Sequence, residues 1–592
     1  MAIPCLILTK GVDNSYMLDS VLKMVRQWHL SPSRNELLYT PQWDGNECVV
    51  RVDNLSSHNI RLGQVDLLAG MLPQQAKFHA EGFQMLAQSY GQAEHIKAIG
   101  RCPDAGEYRL SDDHDHFTAY NQLLLETNGR YILLGFSSCL RFSGYFKIYP
   151  DGRLVIGIDA DTLVLTGRSF IESEHLFVSE GADREAVLAE FASAINRHHP
   201  RLTWPTKPNG WCSWYHYYAD ISAADIAENL QQLVGPYEYL EHLLIDDGYQ
   251  EFMGDWLHPS ERFPGGVEHL CKQIREQGKE PAIWVAPFIA QAESRLFQQH
   301  PEWFVKDQDG QPLAAEKVTY GGWRCTPWYV LDTTQPEANA YLYKVFRHMY
   351  QRWGVRYFKL DAIYWGTLAK GYRAQSDKTR IEAYRMGMQT IHQACDGKAY
   401  ILGCNAPMWP SLGLVHGMRV ADDVERNIDR FKQIAKETFF RNWQDQRLWQ
   451  NDPDCVTLNN LAQQQTHQAA YNWHRVSLLA SSGLVFSGDR LLELKPGQQQ
   501  VLQKLQQNQP EAARFERSDL GHAKQYQNGQ LVRQYWFNWD AQQSLSLLVD
   551  LDLSQWQVLW CDEQFVCQPK NLQVQLRLAV NSAVVFELKS EF

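Results

Sequence analysis

The hydrophobic and polar positions of the first 180 residues follow the pattern of short β-strands. Apolar residues alternate with polar ones, or form brief apolar runs, in several segments: 47–55, 130–136, 144–152, 153–158 and 162–167. Asp-Gly and Gly turns separate some of these segments. Short strands at such regular spacing predict an antiparallel β-sandwich over residues 1–180.

A linker is predicted at residues 181–208. Apolar residues recur at helical spacing over 182–197, and the Pro-rich segment 198–210 follows this helix. Because proline and glycine interrupt both helices and strands, the segment is typical of a boundary between domains.

The pattern changes to alternating strands and helices over residues 209–505. Candidate strands lie in eight segments: 210–217, 242–249, 281–288, 357–364, 400–407, 417–424, 451–456 and 483–489. Amphipathic helical patterns lie between most of them, one beginning at a capping box of Ser222 and Asp225. Eight strand–helix units predict a (β/α)8 TIM barrel. Only about ten residues separate the fifth and sixth segments, too few for an ordinary helix.

The alternative for this region is a doubly wound open sheet. No candidate strand is followed by a G-x-G-x-x-G sequence, and the chain has no P-loop, which disfavours that alternative. Alternating apolar residues return over 515–592 and predict a small C-terminal β-sandwich. The predicted fold class is therefore multidomain α/β: a central (β/α)8 barrel between an N-terminal β-sandwich and a small C-terminal all-β domain.

Composition and charge exclude several classes of function. The chain of 592 residues carries a net charge of −12 and no basic run, so it lacks the electrostatic footprint of a nucleic-acid binder. No apolar stretch approaches the roughly 18 residues of a membrane span, and residues 1–11 lack the basic start of a signal peptide. The 12 cysteines are scattered singly, which predicts reduced thiols and a cytoplasmic protein. The 20 Trp and 27 Tyr weakly favour a carbohydrate ligand, because aromatic rings stack on sugar faces.

Carboxylates follow three of the candidate barrel strands. Asp246 and Asp247 end the second, Asp361 ends the fourth, and Asp422 and Asp423 end the sixth. In a TIM barrel these ends converge on one mouth, where catalysis takes place. A single aspartate at such a junction is more often a helix cap, but three sites together favour an active site. Two opposed carboxylates are what the cleavage of a glycosidic bond requires.

Lys359 and Asp361 are two residues apart on one strand and therefore face the same way. We expect the ammonium to keep the Asp361 carboxyl ionised, because an adjacent cation lowers a carboxyl pKa. An ionised carboxylate at that position can attack an anomeric carbon.

Motifs across the whole barrel resemble those of the α-galactosidases of glycoside hydrolase family 36. The similar segments read LLIDDGYQ (243–250), GDW (254–256), IWVAPF (283–288), YFKLDAIYWG (357–366), ILGCNAPMWPSLGLVHGMRVADDV (401–424) and NDPDC (451–455). The resemblance implies that Asp361 is the nucleophile and that Asp423, four residues after Arg419, is the acid/base. Its neighbour Asp422 is the alternative proton donor, because relatives often have another residue type there.

The resemblance further implies a set of residues that bind the sugar. Asp246 and Asp247 would bind O4 and O6, and Lys359 would bind near O3 and O4. Arg419 and Cys404 would bind near O2, with Trp284 as a wall of the site.

The implied function is a retaining glycoside hydrolase that cleaves terminal α-galactosyl residues from oligosaccharides or galactosides. The same mechanism could serve an α-N-acetylgalactosaminidase, an α-glucosidase or a transglycosylase, and a sugar-binding protein without catalysis is a further alternative. No metal and no organic cofactor is expected, because the two carboxylates supply both catalytic roles. The expected partner is the oligosaccharide; a homo-oligomer stays open.

Overall fold

The computed structural model describes residues 25, 27–30, 36–106, 108–111, 114–321, 326–507, 510–570 and 573–589. Residues 1–11, considered above as a targeting segment, lie outside the described residues. No helix in the described ranges combines the length and the apolar character needed to cross a lipid bilayer.

The N-terminal part of the chain folds into two antiparallel sheets. One sheet has the strand order β1-β5-β13-β12-β9, and the other has the order β15-β3-β16-β11-β10-β6-β7-β8 with β2 beside β3. Burial alternates along β3, where Cys48, Val50 and Val52 point into the core, as the sequence pattern predicts. The predicted N-terminal sandwich is therefore confirmed. Its strands are β1 His29–Leu30, β2 Leu37–Asp44, β3 Glu47–Asn54, β4 Ile60–Arg61, β5 Gln64–Met71, β6 Lys77–Glu81, β7 Gln88–Gln92, β8 His95–Ala98, β9 Phe117–Tyr120, β10 Gln122–Thr127, β11 Arg130–Phe136, β12 Ser143–Ile148, β13 Arg153–Asp159, β14 Val164–Leu165, β15 Phe170–Glu172 and β16 Leu176–Gly181.

Helix α1 (Arg184–His198) leads from the sandwich to the barrel. The side chain of Asp183 caps its first turn by accepting hydrogen bonds from the backbone N–H groups of Glu185 and Ala186. Its apolar face, which includes Val187, Leu188 and Phe191, is buried. This helix matches the predicted helical pattern, and the domain boundaries at residues 180, 208 and 505 themselves stay predictions.

Eight parallel strands form the central barrel. They are β17 Asn209–Cys212, β18 His242–Ile245, β19 Glu280–Val285, β22 Tyr357–Leu360, β23 Tyr400–Gly403, β24 Gly417–Arg419, β25 Gln450–Asp452 and β26 Val485–Ser487. Strand β17 pairs with β26, and the N–H of Leu484 donates to the carbonyl of Asn451 at 2.9 Å, which brings β26 back to β25. Each strand overlaps a segment that the sequence predicts, and β17, β19 and β25 begin one residue earlier, so the TIM barrel is confirmed. A short hairpin beside the barrel consists of β20 Ile289–Gln291 and β21 Trp328–Val330.

The helices around the barrel begin where the sequence supplies caps. Ser222 and Asp225 form the predicted capping box, and Thr379 with Glu382 forms a second one. A single 3-10 turn at Trp409–Ser411 occupies the interval between β23 and β24, where no ordinary helix was expected. The helices are α2 Trp214–Tyr217, α3 Ala223–Leu233, α4 Val267–Glu276, α5 Arg295–Gln299, α6 Pro336–His348, α7 Arg380–Ala394, α8 Ile428–Arg441, α9 Gln468–Ser481 and α10 Pro496–Gln506.

The C-terminal part is all β, as predicted. It contains a four-stranded sheet of order β27-β28-β33-β30 and a three-stranded sheet of order β29-β32-β31. The strands are β27 His522–Gln527, β28 Gln530–Asn538, β29 Leu545–Val549, β30 Trp556–Trp560, β31 Val566–Lys570, β32 Gln573–Leu578 and β33 Ser582–Leu588.

The N-terminal sandwich and the barrel share one hydrophobic core. A buried ion pair joins them: both carboxylate oxygens of Glu81 lie 3.1 Å from Nε of Arg441. The loop after β6 also pairs with the loop after β23, since Met85 N donates to the Ala406 carbonyl at 2.9 Å. The sandwich is therefore held directly against the mouth of the barrel.

Candidate active site

The carboxylate of Asp361 lies directly after strand β22 and is held by three donors. Its Oδ1 accepts from Ala362 N at 2.6 Å and from Asn405 Nδ2 at 3.0 Å. Its Oδ2 accepts from the indole Nε1 of Trp284 at 3.0 Å. Asp361 is 8% exposed, so the carboxylate is largely buried and fixed in direction.

The ammonium of Lys359 pairs with Asp246 and not with Asp361. Lys359 Nζ lies 2.8 Å from Asp246 Oδ2, and both side chains are buried. Burial lowers the pKa of Lys359, but Asp246 outweighs burial and raises it well above its usual value. The ammonium therefore makes its ion pair with Asp246 instead of Asp361, although the charge of Asp361 still contributes to the raised pKa of Lys359.

The two consecutive aspartates after β18 form one hydrogen-bonded unit. Asp247 N donates to Asp246 Oδ1 at 2.9 Å, and Gln250 Nε2 donates to Asp247 Oδ1 at 2.6 Å. The thiol of Cys212 donates to Asp246 Oδ2 at 3.4 Å. Neither aspartate exceeds 2% exposure, which suits groups that read a bound hydroxyl in a water-poor site.

Arg419 at the end of β24 joins several acidic groups. Its Nη2 lies 3.0 Å from Asp423 Oδ1 and 2.6 Å from Asp454 Oδ2, and its Nη1 lies 3.7 Å from the Cys404 sulfur. The hydroxyl of Tyr215 donates to the same Asp423 oxygen at 3.1 Å. Burial raises the pKa of Asp454 above its usual value, although Arg419 opposes that shift.

Asp422 and Asp423 differ sharply in their surroundings. The Asp423 side chain is 52% exposed and faces the mouth of the barrel, whereas the Asp422 side chain is 8% exposed. Asp422 Oδ2 accepts from Arg101 Nε at 3.1 Å and from Arg430 Nη1 at 2.5 Å. Burial raises the pKa of Asp422, but Arg430 and Arg101 outweigh burial and hold the pKa below its usual value. Asp422 is thus a buried, ion-paired carboxylate, and Asp423 is the one open to a ligand.

The structure brings all the predicted site residues to the same end of the barrel. Asp361 and Asp423 are connected through the loop after β23, because Asn405 binds Asp361 while its neighbour Cys404 contacts Arg419. Trp284 is 1% exposed, so it contributes its N–H to Asp361 and little open ring surface as a wall.

Sequence reasoning missed several polar residues of this site. They are Tyr215, Gln250, Asn405 and Asp454, together with Arg101 of the N-terminal sandwich. The first four lie just after barrel strands, so the position rule that identified the aspartates could also have identified them. Arg101 carries no such signal, because its partner Asp422 is 321 residues away.

Known proteins match parts of this sequence. The family model described as Melibiase matches residues 188–398. Among curated relatives, an A type blood α-D-galactosamine galactosaminidase of Flavonifractor plautii is 29% identical over 33% of this chain and 18% of its own length. An α-galactosidase of Escherichia coli is 29% identical over 21% of this chain and 17% of its own length. The matched stretches thus span less than a fifth of each of these two relatives.

Solved structures resemble a much larger part of the chain. An α-galactosidase of Thermus thermophilus, in complex with p-nitrophenyl α-D-galactopyranoside, superposes with a TM-score of 0.63 at 24% identity. That similarity covers 83% of this chain and 98% of the other. A family 36 α-galactosidase of Geobacillus stearothermophilus has a TM-score of 0.64 at 12% identity, over 94% of this chain and 81% of its own.

Proposed function

We propose that this chain is one of the α-galactosidases of glycoside hydrolase family 36 and that it cleaves terminal α-galactosyl residues from oligosaccharides or galactosides. The reaction is a double displacement with net retention at the anomeric carbon. The observation that carries the proposal is the presence, at one barrel mouth, of a fixed, three-donor carboxylate at Asp361 after β22 and an exposed carboxyl at Asp423 after β24, with β23 between the two strands.

In the first step Asp361 Oδ attacks the anomeric carbon and forms a galactosyl ester. The bond to the leaving oxygen breaks, and that oxygen takes the proton from Asp423. In the second step Asp423 takes a proton from water, the water oxygen attacks the anomeric carbon, and the ester bond to Asp361 breaks. No step needs a metal or an organic cofactor, because the two carboxyl groups supply nucleophile, acid and base.

The hydrogen bonds to Asp361 support its role as the nucleophile. Three donors fix its orientation before substrate arrives, so little reorganisation is needed for attack. The exposure of Asp423 supports its role as acid/base, since a proton donor must reach both the leaving group and water. Asp422 is a weaker candidate, because two guanidinium groups hold it in the ionised form.

The buried acids and cations beside Asp361 support selection for galactose. We assign Asp246 and Asp247 to O4 and O6, Lys359 to the region of O3 and O4, and Arg419 with Cys404 to the region of O2. Galactose has an axial O4, so selecting it over glucose requires hydrogen-bond partners placed for that hydroxyl. With glucose in the site these buried polar groups stay unpaired, at a cost of about 1–3 kcal/mol each.

A galactosaminidase is the second candidate function. It is favoured by one observation: a curated relative that matches part of this chain is a galactosaminidase. Such an enzyme would use the same two carboxylates and would differ in how the residues around O2, including Cys404, accommodate a substituent at C2.

A panel of p-nitrophenyl α-glycosides tests both candidates. We expect the α-galactoside to be hydrolysed with the highest kcat/KM, ahead of the α-glucoside and the α-N-acetylgalactosaminide. Proton NMR during the reaction should show the α-anomer of galactose first. Equal rates on galactoside and glucoside would overturn the sugar assignment, and early release of the β-anomer would overturn the retaining mechanism.

The natural substrate and the location belong to the same proposal. Neighbouring structures contain stachyose in the Thermus thermophilus enzyme and raffinose in the Geobacillus stearothermophilus enzyme. We propose α-galactosyl oligosaccharides of this kind as substrates and a cytoplasmic location, which the scattered single cysteines of the sequence support. Product analysis with raffinose would separate hydrolysis, which releases free galactose, from transfer to a second sugar.

A further inference from the structure

Three potential metal ligands meet where helix α1 ends against the N-terminal sandwich. They are Glu47 at the start of β3, His175 just before β16 and His198 at the end of α1. One ligand atom from each side chain lies within 4.8 Å of the other two. Within the described ranges this is the one such group of three His, Cys, Asp or Glu side chains.

The backbone around each of the three residues is already fixed. Glu47 lies in the β3–β16 ladder opposite Phe177. The carbonyl of His175 accepts from Ser137 N at 2.8 Å, and its own N–H donates to Ser138 Oγ at 2.9 Å. Because the ordering cost is met by the fold, ligands held in this way bind an ion with less loss of freedom than flexible ones.

The helix end that carries His198 is also anchored. The next residue, His199, accepts a hydrogen bond from Cys139 N through its Nε2 at 2.9 Å. A cation at this end of α1 is favoured by the helix dipole, whose negative end lies at the C-terminus.

The three side chains carry donor atoms of the kinds that coordinate a metal. Metal ions bind deprotonated carboxylates and neutral imidazoles, and the group supplies one carboxylate, from Glu47, and two imidazoles, from His175 and His198.

We propose that Glu47, His175 and His198 form a binding site for a divalent transition-metal ion, Zn²⁺ by their chemistry, which fastens helix α1 to the N-terminal sandwich. Two imidazoles and one carboxylate are a zinc-type set, whereas Mg²⁺ and Ca²⁺ take oxygen ligands. The side chains of Glu47 and His198 are 14% and 19% exposed, so an ion can enter from solvent.

Coordination of one ion requires the two imidazole rings to move apart and turn, while Glu47 and His198 are already close enough. A tetrahedral zinc ion with bonds of about 2.0–2.1 Å holds its ligand atoms about 3.4 Å apart. His198 Nε2 and Glu47 Oε1 are already 3.1 Å apart, and the rings of His175 and His198 have centroids 4.0 Å apart. The ion would take the place of the proton between His198 and Glu47, and water would complete its coordination.

The guanidinium of Arg197 lies beside the proposed ion and repels it, so its removal should affect metal binding in the opposite direction from the loss of a ligand. Arg197 Nη2 lies 2.8 Å from Glu47 Oε2, and the Arg197 side chain is 56% exposed. Arg197→Ala removes a positive charge beside the ion without removing a ligand. It should therefore tighten binding, whereas loss of a ligand should weaken it.

Titration of the chelator-treated full chain with ZnCl₂ tests the proposal. Calorimetry should show one bound Zn²⁺ per chain that is lost in His175→Ala and in Glu47→Gln and bound more tightly in Arg197→Ala. Zinc should raise the melting temperature of the unmodified chain by a few degrees, but not that of His175→Ala. Co²⁺ in place of Zn²⁺ should give the visible absorption of a low-symmetry site in the unmodified chain but not in His175→Ala or Glu47→Gln.

Matched variants separate this site from adventitious binding by cysteines or surface histidines. His58→Ala removes a histidine that lies 3.5 Å from Glu36 on the exposed surface, and it should leave zinc binding unchanged. If His175→Ala destabilises the fold, zinc binding and the Co²⁺ spectrum are compared between the unmodified chain and His175→Gln instead. Equal zinc stoichiometry and affinity in the unmodified chain and in both His175 variants would overturn the proposal, as would equally tight binding of Mg²⁺.

Discussion

Replacing Asp423 should slow hydrolysis by an amount that depends on the leaving group. A positioned general acid contributes about 10²–10⁴-fold in rate, which corresponds to about 2.7–5.4 kcal/mol of barrier. A sugar leaving group needs the proton and should lose most of that factor in Asp423→Ala. p-Nitrophenolate is stable without a proton, so the loss in its glycosylation step should stay below about tenfold.

The structure indicates that Asp423→Ala leaves the fold intact. The side chain is 52% exposed, and its removal takes away one hydrogen bond each from Tyr215 and Arg419. Arg419 keeps its ion pair with Asp454 at 2.6 Å. We expect a cost of about 1 kcal/mol in the free energy of unfolding, which separates a catalytic loss from misfolding.

A substitution at the adjacent Asp422 is the control, because it should lower stability and leave the dependence of the rate on the leaving group unchanged. The Asp422 carboxylate pairs with the buried Arg430, which also pairs with Glu425, so Asp422→Ala would remove one of the two acidic partners of that guanidinium at a cost of at most about 3–5 kcal/mol. Asp422→Asn is the better variant, because its side-chain oxygen can still accept from Asp423 N, now 2.7 Å from Oδ1. It should lower the melting temperature and slow all substrates by the same factor.

The assay compares kcat/KM for raffinose and for p-nitrophenyl α-galactoside in the two variants, beside the melting temperature of each. The acid/base assignment requires the ratio of the two values to change for Asp423→Ala and to stay constant for Asp422→Asn. If only Asp422→Asn shifts the ratio, the proton donor is Asp422, and the exposure argument is refuted.

Three further predictions follow from the same contacts. Asp361→Ala should abolish hydrolysis of every substrate, and azide should restore some turnover as a β-galactosyl azide visible by NMR; an α-azide product would contradict the covalent intermediate. Glu81→Ala should lower the free energy of unfolding in urea by about 3–5 kcal/mol, because it leaves the buried Arg441 without its carboxylate partner. As a control, Glu228→Ala removes a partly exposed ion pair with Arg490 and should cost at most about 1 kcal/mol. Equal costs for the two variants would refute this prediction. Burial, and then the charge of Asp422, raise the pKa of Glu437 from 4.5 to about 7, so the folded state binds this proton more tightly than the unfolded state does. The resulting contribution to stability is lost as the pH rises from 4.5 to 7. Glu437→Gln should therefore flatten the dependence of the melting temperature on pH over that window, and an unchanged dependence would count against the assignment.

The local pattern of the chain is sufficient to predict the barrel and to predict that the candidate site residues meet at one of its ends. Eight apolar segments at the right spacing predict the eight strands, because a strand of a parallel sheet is buried on both faces and therefore consists of consecutive apolar residues. Aspartates immediately after those segments had to converge, since parallel strands share one carboxyl end. The capping box of Ser222 and Asp225 was readable for the same reason, because it depends on residues three apart.

Only the tertiary structure decided which partner each charged group takes. Lys359 pairs with Asp246 on another strand, although its spacing along the chain favoured Asp361. Asp422 and Asp423 are the same residue type at adjacent positions, and the sequence could not rank them by burial. Arg101, far away along the chain, reaches Asp422 because the sandwich packs on the barrel. Together with Arg430 it makes Asp422 a buried, ion-paired carboxylate, whereas Asp423 stays open to the cleft. Such pairings depend on distances in space between residues remote in sequence, which periodicity along the chain does not encode.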